Sequence, residues 1–211
     1  MALRIVLSRY APLWLGSLCL LLATPLARES MEATMSAHML VQIPLLVASG
    51  FLSCMLLPEY WQEKLFVTMG GAIPCVLLAL FAASYWMLPR ALDAALSHPL
   101  AEAAKFISLP VLVGLPLALA WKRLSIIGRG FVWTNFISML AVLGWLYIDA
   151  PVRVCNNYLV NQQESTGWLM VKLAFMLFLW WLGTLFIGGN PALPENSAAE
   201  TGNEEMQTGR V

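Results

Sequence analysis

The sequence has few charged side chains. Lysine, arginine, aspartate and glutamate make up 11% of its 211 residues, whereas a soluble domain usually carries about 25%. The 12 basic and 12 acidic residues cancel, so the chain offers no basic surface to a nucleic acid. Hydrophobic residues make up 60% of the chain. This composition predicts an integral membrane protein in contact with lipid, with no nucleic-acid partner.

Catalytic and redox motifs are also lacking. The chain has two histidines and contains no glycine-rich phosphate loop, no H-E-x-x-H motif and no Ser/His/Asp arrangement. Its four cysteines form no C-x-x-C pair, which argues against a disulfide framework or a thiol redox centre. Internal repeats are not evident. We therefore expect a protein with one membrane domain that is not an enzyme.

Six apolar stretches have about the length of 17 to 25 residues that a helical span needs. They predict an all-α, polytopic helical bundle over residues 1–189, followed by a disordered acidic tail over residues 190–211. Pro110 and Pro116 are each expected to kink the fourth span. Residues 89–99 are expected to form a short helix at the membrane surface. The predicted spans are residues 11–27, 33–57, 65–88, 103–121, 130–148 and 168–187.

Polar stretches separate these spans. Residues 59–64 are expected to form a short loop, and residues 149–167 the longest connection between two spans. The first span, residues 11–27, also looks like a secretory signal. Because Pro25 stands where a signal-peptidase site needs a small residue, we interpret it as a retained span.

The distribution of basic residues predicts the orientation, since cytoplasmic loops carry an excess of lysine and arginine. Placing both termini in the cytoplasm puts more basic residues inside than outside, and the compact cluster at 122–129 carries most of the difference. The residues expected inside are Arg4, Arg9, Lys64, Lys122, Arg123, Arg129 and Arg210, and those expected outside are Arg28, Arg90, Lys105 and Arg153.

The second span carries a polar stripe. At about 100° per residue, Met31, Met35, His38 and Gln42 fall within about 60° of one another on a helix. Thioether sulfur favours Cu(I), and imidazole binds copper in either oxidation state. The stripe therefore predicts a copper site with Met31, Met35 and His38 as ligands, and with Gln42 orienting or hydrogen-bonding the imidazole. Methionine is also ordinary filling in membrane helices, so the same stripe suits polar contact with a partner helix.

His98 is the second candidate histidine. It precedes Pro99 at the start of the fourth span, where it is expected either to cap the helix or to add a ligand to the copper site. Alternatively, His38 and His98 would hold a b-type haem through its two axial positions.

Three further residues lie in or beside the connection after the fifth span. Asp149 is expected to form an ion pair with Arg153 or with Lys172. Cys155 is the one cysteine expected outside the membrane. It is either a soft metal ligand or a packed, unreactive thiol.

The stretch SAHMLVQIPLL resembles the second-helix signature of the bacterial CtaG-type cytochrome c oxidase assembly factors, H-M-x-Q-H followed by apolar residues. His38 and Met39 match the opening of that signature. Val41 stands at its glutamine and Gln42 at its second histidine. The segment YWMLPRALDAAL is similar to that family's loop after the third span.

This resemblance implies a bacterial inner-membrane protein that assists copper insertion into, or maturation of, a haem-copper respiratory oxidase. Its partners would be oxidase subunits or other membrane proteins. Two other functions stay open. One is a non-catalytic structural or accessory subunit of a membrane complex, and the other is a small-solute transporter with a pathway between spans two and four.

Overall fold

A computed structural model describes residues 24–150 and 152–187, which are mostly helical and contain no strand. The all-α prediction is confirmed for this part of the chain. The chain divides into two compact units after Leu177. The described helices are α1 (Pro25–Glu32), α2 (Met35–Leu56), α3 (Glu59–Thr68), α4 (Ala72–Met87), α5 (Pro89–Ser97), α6 (Pro99–Trp121), α7 (Ile126–Asp149) and α8 (Val160–Ile187).

Four of these helices, α2, α6, α7 and α8, are long and apolar enough to cross a membrane. Helices α3 and α4 add a fifth candidate if the two count as one span bent by 80°. The bend lies at Gly70 and Gly71, whose φ angles of 84° and 101° favour glycine. The described residues thus support a membrane protein with four or five candidate spans, and the predicted number of six is not confirmed. Residues 11–23 of the predicted first span and the predicted tail lie outside the described residues.

Two predicted loops are partly helical. Residues 59–64 begin α3, directly after Pro58, whose fixed φ suits a helix start. Helix α8 begins at Val160 rather than at 168. It extends into the polar connection because Gln163 finds backbone partners there, accepting a hydrogen bond from Val154 N at 2.9 Å and donating one to Tyr147 O at 3.3 Å. The short helix predicted for residues 89–99 is confirmed as α5, and its position at the membrane surface stays a prediction.

The predicted second helix is interrupted before His38. Helix α1 ends at Glu32, and the extended Thr34 caps α2 by accepting a hydrogen bond from Ala37 N at 3.3 Å. Met31 therefore lies on α1, and the prediction that it shares one helix with Met35 and His38 is wrong. Threonine at this position is a favoured N-cap residue.

Helices α2 and α6 pack closely. A Cβ on Gly50 would lie 2.1 Å from Pro110 O, and one on Gly114 would lie 2.2 Å from Val47 O. Each helix contains one π-helical segment, residues 38–42 in α2 and 109–114 in α6. The predicted irregularity at Pro110 takes this form, whereas Pro116 lies in regular α-helix. Such π-helical turns are often found at functional sites.

Candidate functional site

A fully buried lysine on α6 lies beside the polar residues of α2. Lys105 is 0% exposed. Its Nζ donates to Glu32 Oε1 at 2.8 Å and to Gln42 Oε1 at 3.2 Å, and it lies 3.2 Å from His38 Nε2. An ammonium has three donors and no acceptor. These three partners therefore use its full hydrogen-bonding capacity.

His38 is engaged at both ring nitrogens. Nε2 faces the Lys105 ammonium and must accept, while Nδ1 lies 3.0 Å from the Tyr158 hydroxyl. That hydroxyl donates to Glu32 O at 3.1 Å, which leaves its oxygen free to accept. The hydrogen-bond pattern assigns a neutral imidazole with its proton on Nδ1.

The charges of two carboxylates, Glu32 and Glu102, balance those of two cations, Arg28 and Lys105. Glu32 is 14% exposed at its side chain and also accepts from Gln42 Nε2 at 3.3 Å. Arg28 pairs with Glu102 at 2.7 Å and reaches Glu32 at 3.9 Å. Because a buried charge is costly unless it is paired, each of these ions depends on the others. We refer to the group as the Lys105 cluster: Arg28, Glu32, His38, Gln42, Glu102, Lys105 and Tyr158.

Tyr158 reaches the cluster from the connection between α7 and α8. The Asp93 carboxylate on α5 anchors this connection by accepting from Asn156 N at 2.8 Å and from Asn157 N at 3.3 Å. Burial, followed by the nearby Glu32 carboxylate, raises the pKa of Tyr158 above its usual value. The phenol therefore stays protonated at neutral pH and keeps its hydrogen bond to α1.

The other predicted copper ligands are placed differently. Met35 is 0% exposed and precedes His38 on α2, whereas Met31 is on α1 and partly exposed. His98 is exposed between α5 and α6, about two helical turns before Lys105. The haem alternative would need both histidine rings on one iron, but His38 is fully buried beside Lys105 whereas His98 is exposed before α6.

The donors around His38 do not fit copper as they are arranged. Both ring nitrogens are engaged, and the Lys105 ammonium at Nε2 opposes a second cation there. The predicted hydrogen bond from Gln42 to the ring is replaced by a bridge through Lys105. Within residues 24–150 and 152–187, no three histidine, cysteine or carboxylate side chains are grouped to hold a metal ion.

The residues predicted near the end of α7 form no described hydrogen bond or ion pair with the Lys105 cluster. In the described part of the chain no ion pair joins Asp149 to Arg153 or Lys172. Cys155 is 1% exposed and its thiol lies beside the Tyr147 hydroxyl. Burial raises the pKa of Cys155 to about 11. This placement favours the packed, unreactive thiol over a metal ligand.

The sequence-based prediction missed the centre of the site. The basic-residue count places Lys105 outside the membrane, and the sequence pattern indicates no role for Glu32 or Tyr158. A usable signal was present, because Glu102 and Lys105 stand one turn apart at the start of an apolar span. A lysine inside such a span needs a carboxylate partner.

Comparison with protein-family models, with curated proteins and with solved structures finds no match. The function must therefore be inferred from the site, since a helical bundle by itself is compatible with many functions.

Proposed function

We propose that the protein is a non-catalytic accessory factor for a membrane complex. The observation that supports this role is the complete engagement of His38 by groups of its own chain. An accessory protein needs polar side chains that fix helix positions, whereas a metal carrier needs donors that are open to exchange. The Lys105 cluster joins α1, α2, α6 and the connection before α8, which suits the first requirement.

A haem-copper respiratory oxidase is the client we propose. The support is the resemblance of SAHMLVQIPLL to CtaG-type assembly factors, in which His38 and Met39 match the signature. In this proposal the protein resides in a bacterial inner membrane, with both termini in the cytoplasm. It would act on oxidase maturation through contacts between membrane helices.

Copper insertion is the narrower role that the polar stripe predicts. It would require His38 Nε2 to exchange the Lys105 ammonium for a metal ion, so the cluster would have to open. That role stays a prediction. The two described cavities are lined by residues outside the Lys105 cluster, and no observation favours the transporter alternative.

Deletion of the gene in its host tests the proposal. We expect the amount of assembled oxidase, measured from the reduced-minus-oxidised haem spectrum of membranes, to fall and to be restored by the wild-type gene. Lys105→Met should fail to restore it, because the cluster loses its central charge. Lys172→Met, the same change at an exposed lysine, should restore it.

Three outcomes separate the alternatives. An unchanged haem spectrum in the deletion strain would exclude the oxidase as client. Normal oxidase subunit levels with reduced membrane copper would favour copper insertion. A lower amount of subunit that added copper does not restore would support the accessory role.

A further inference from the structure

An apolar cavity of about 460 Å³ lies between α2, α4, α6 and α7. Its walls are almost entirely hydrocarbon, and Asn135 is the one amide among the lining side chains. The lining residues on α6 run from Leu109 to Trp121, which corresponds to roughly 18 Å at the helical rise of about 1.5 Å per residue. One leaflet contributes about half of the ~30 Å hydrocarbon core. The cavity thus has the length of one lipid acyl chain.

Cations lie at the Trp121 end of this cavity. The Arg129 guanidinium carbon is 5.8 Å from the centre of the Trp121 ring, and no described carboxylate pairs with Arg129. Lys122, which follows Trp121 in the sequence, donates to the neutral amide of Gln62 at 3.4 Å. It forms no ion pair with a described carboxylate. Arg123 differs, because it forms an ion pair with Glu63. Among the residues that the structure describes, no carboxylate therefore compensates the positive charges of Lys122 and Arg129.

We propose that this cavity and the two cations form a binding site for an anionic phospholipid. One acyl chain lies in the cavity, and the lipid phosphate lies between Lys122 and Arg129. Arginine suits this role because its planar fork bonds two phosphate oxygens at once. Basic residues at the membrane surface attract anionic lipids in general.

The headgroup must supply the selectivity of such a site. A lipid tail gains little free energy by moving from the bilayer into an apolar cavity, because its surroundings stay equally apolar. Phosphatidylglycerol and phosphatidylcholine with identical tails should therefore fill the cavity equally well. The net negative charge of phosphatidylglycerol then decides which lipid is retained.

Native mass spectrometry of the full chain in detergent, titrated with each of these two lipids, tests the proposal. We expect tighter binding of phosphatidylglycerol, weakened about fivefold by Arg129→Gln and about fivefold by Lys122→Gln, at roughly 1 kcal/mol per basic residue. Binding of phosphatidylcholine should weaken less, because its choline cation offsets the charge of its phosphate. Arg153→Gln is the matched control, since it removes the same charge from an exposed residue in another connection and should leave both lipids unaffected.

A second variant tests the cavity itself. Ala83 lines the cavity from α4, and Ala83→Phe should reduce the binding of both lipids, with unchanged circular dichroism showing that the helices persist. Equal affinity for the two lipids, or phosphatidylglycerol binding that survives both charge substitutions, would overturn the proposal. Displacement of lipid by a second copy of the chain, seen as a dimer without bound lipid, would overturn it as well.

Discussion

Replacing Lys105 by methionine should strongly destabilise the protein. Methionine keeps most of the side-chain volume and removes the ammonium, so Glu32 loses its ion-pair partner at 2.8 Å and retains Arg28 at 3.9 Å and the Gln42 amide at 3.3 Å. Breaking a buried ion pair from one side typically costs about 3–5 kcal/mol. Because Arg28 stays within reach of the carboxylate, we expect a loss of unfolding free energy near the lower end, about 3 kcal/mol.

A double-mutant cycle isolates the cause. Adding Glu32→Gln to Lys105→Met removes the second charge, and we expect most of the lost stability to return, since replacing both partners of an ion pair costs little. Lys172→Met serves as the control. Its side chain is exposed, so its effect should stay within about 0.5 kcal/mol.

The assay is reversible unfolding of the purified full chain in mixed micelles with increasing sodium dodecyl sulfate, followed by far-ultraviolet circular dichroism. The transition midpoints of the wild type, both single variants, the double variant and the control give the coupling free energy. If Lys105→Met lowers the free energy of unfolding by less than about 1 kcal/mol, the Lys105 charge is not important for stability. A double variant no more stable than Lys105→Met would refute the pairing.

Three further predictions concern packing and thiol chemistry. Gly50→Ala should destabilise the protein by about 1–3 kcal/mol, because the new Cβ would lie 2.1 Å from the backbone oxygen of Pro110. The control Gly183→Ala should not destabilise it, because a Cβ there meets nothing within 4 Å. Equal unfolding midpoints for the two variants would contradict the prediction. Maleimide should label Cys155 slowly at neutral pH and faster as the pH rises, because its pKa is raised to about 11 and the thiolate is the reactive form. Asp93→Ala should speed this labelling at neutral pH. The substitution frees the connection between α7 and α8 and removes a charge that raises the pKa of Cys155. An unchanged labelling rate would show that Asp93 does not protect the thiol.

The sequence predicts the helices better than their ends. Apolar length alone locates most of α2, α6 and α7, because each must bury its backbone polar groups within the helix. The start of α8 was misplaced because Asn161 to Glu164 look like a polar connection. Only the tertiary contacts of Gln163 show that these residues continue the helix. Thr34, a favoured N-cap residue, is the local signal for the break before Met35.

The sequence predicts only the α2 part of the candidate site. Helical spacing correctly places His38 and Gln42 near each other on α2, and both are buried. Their shared partner Lys105 is 67 residues from His38 and 63 residues from Gln42 in the chain. Periodicity within one helix carries no information about which residue of another helix packs against it. The polar stripe therefore predicts metal chemistry for side chains whose tertiary partners the sequence does not show.

An anaerobic Cu(I) titration of the purified full chain is the most direct test of the claim that His38 is fully engaged by its own chain. The comparison is with the His38→Ala, Met35→Leu variant, and bound copper is measured after removal of excess metal. We predict the same copper content in both proteins. One equivalent of copper that is present in the wild type and lost in the variant would contradict the structural role of His38.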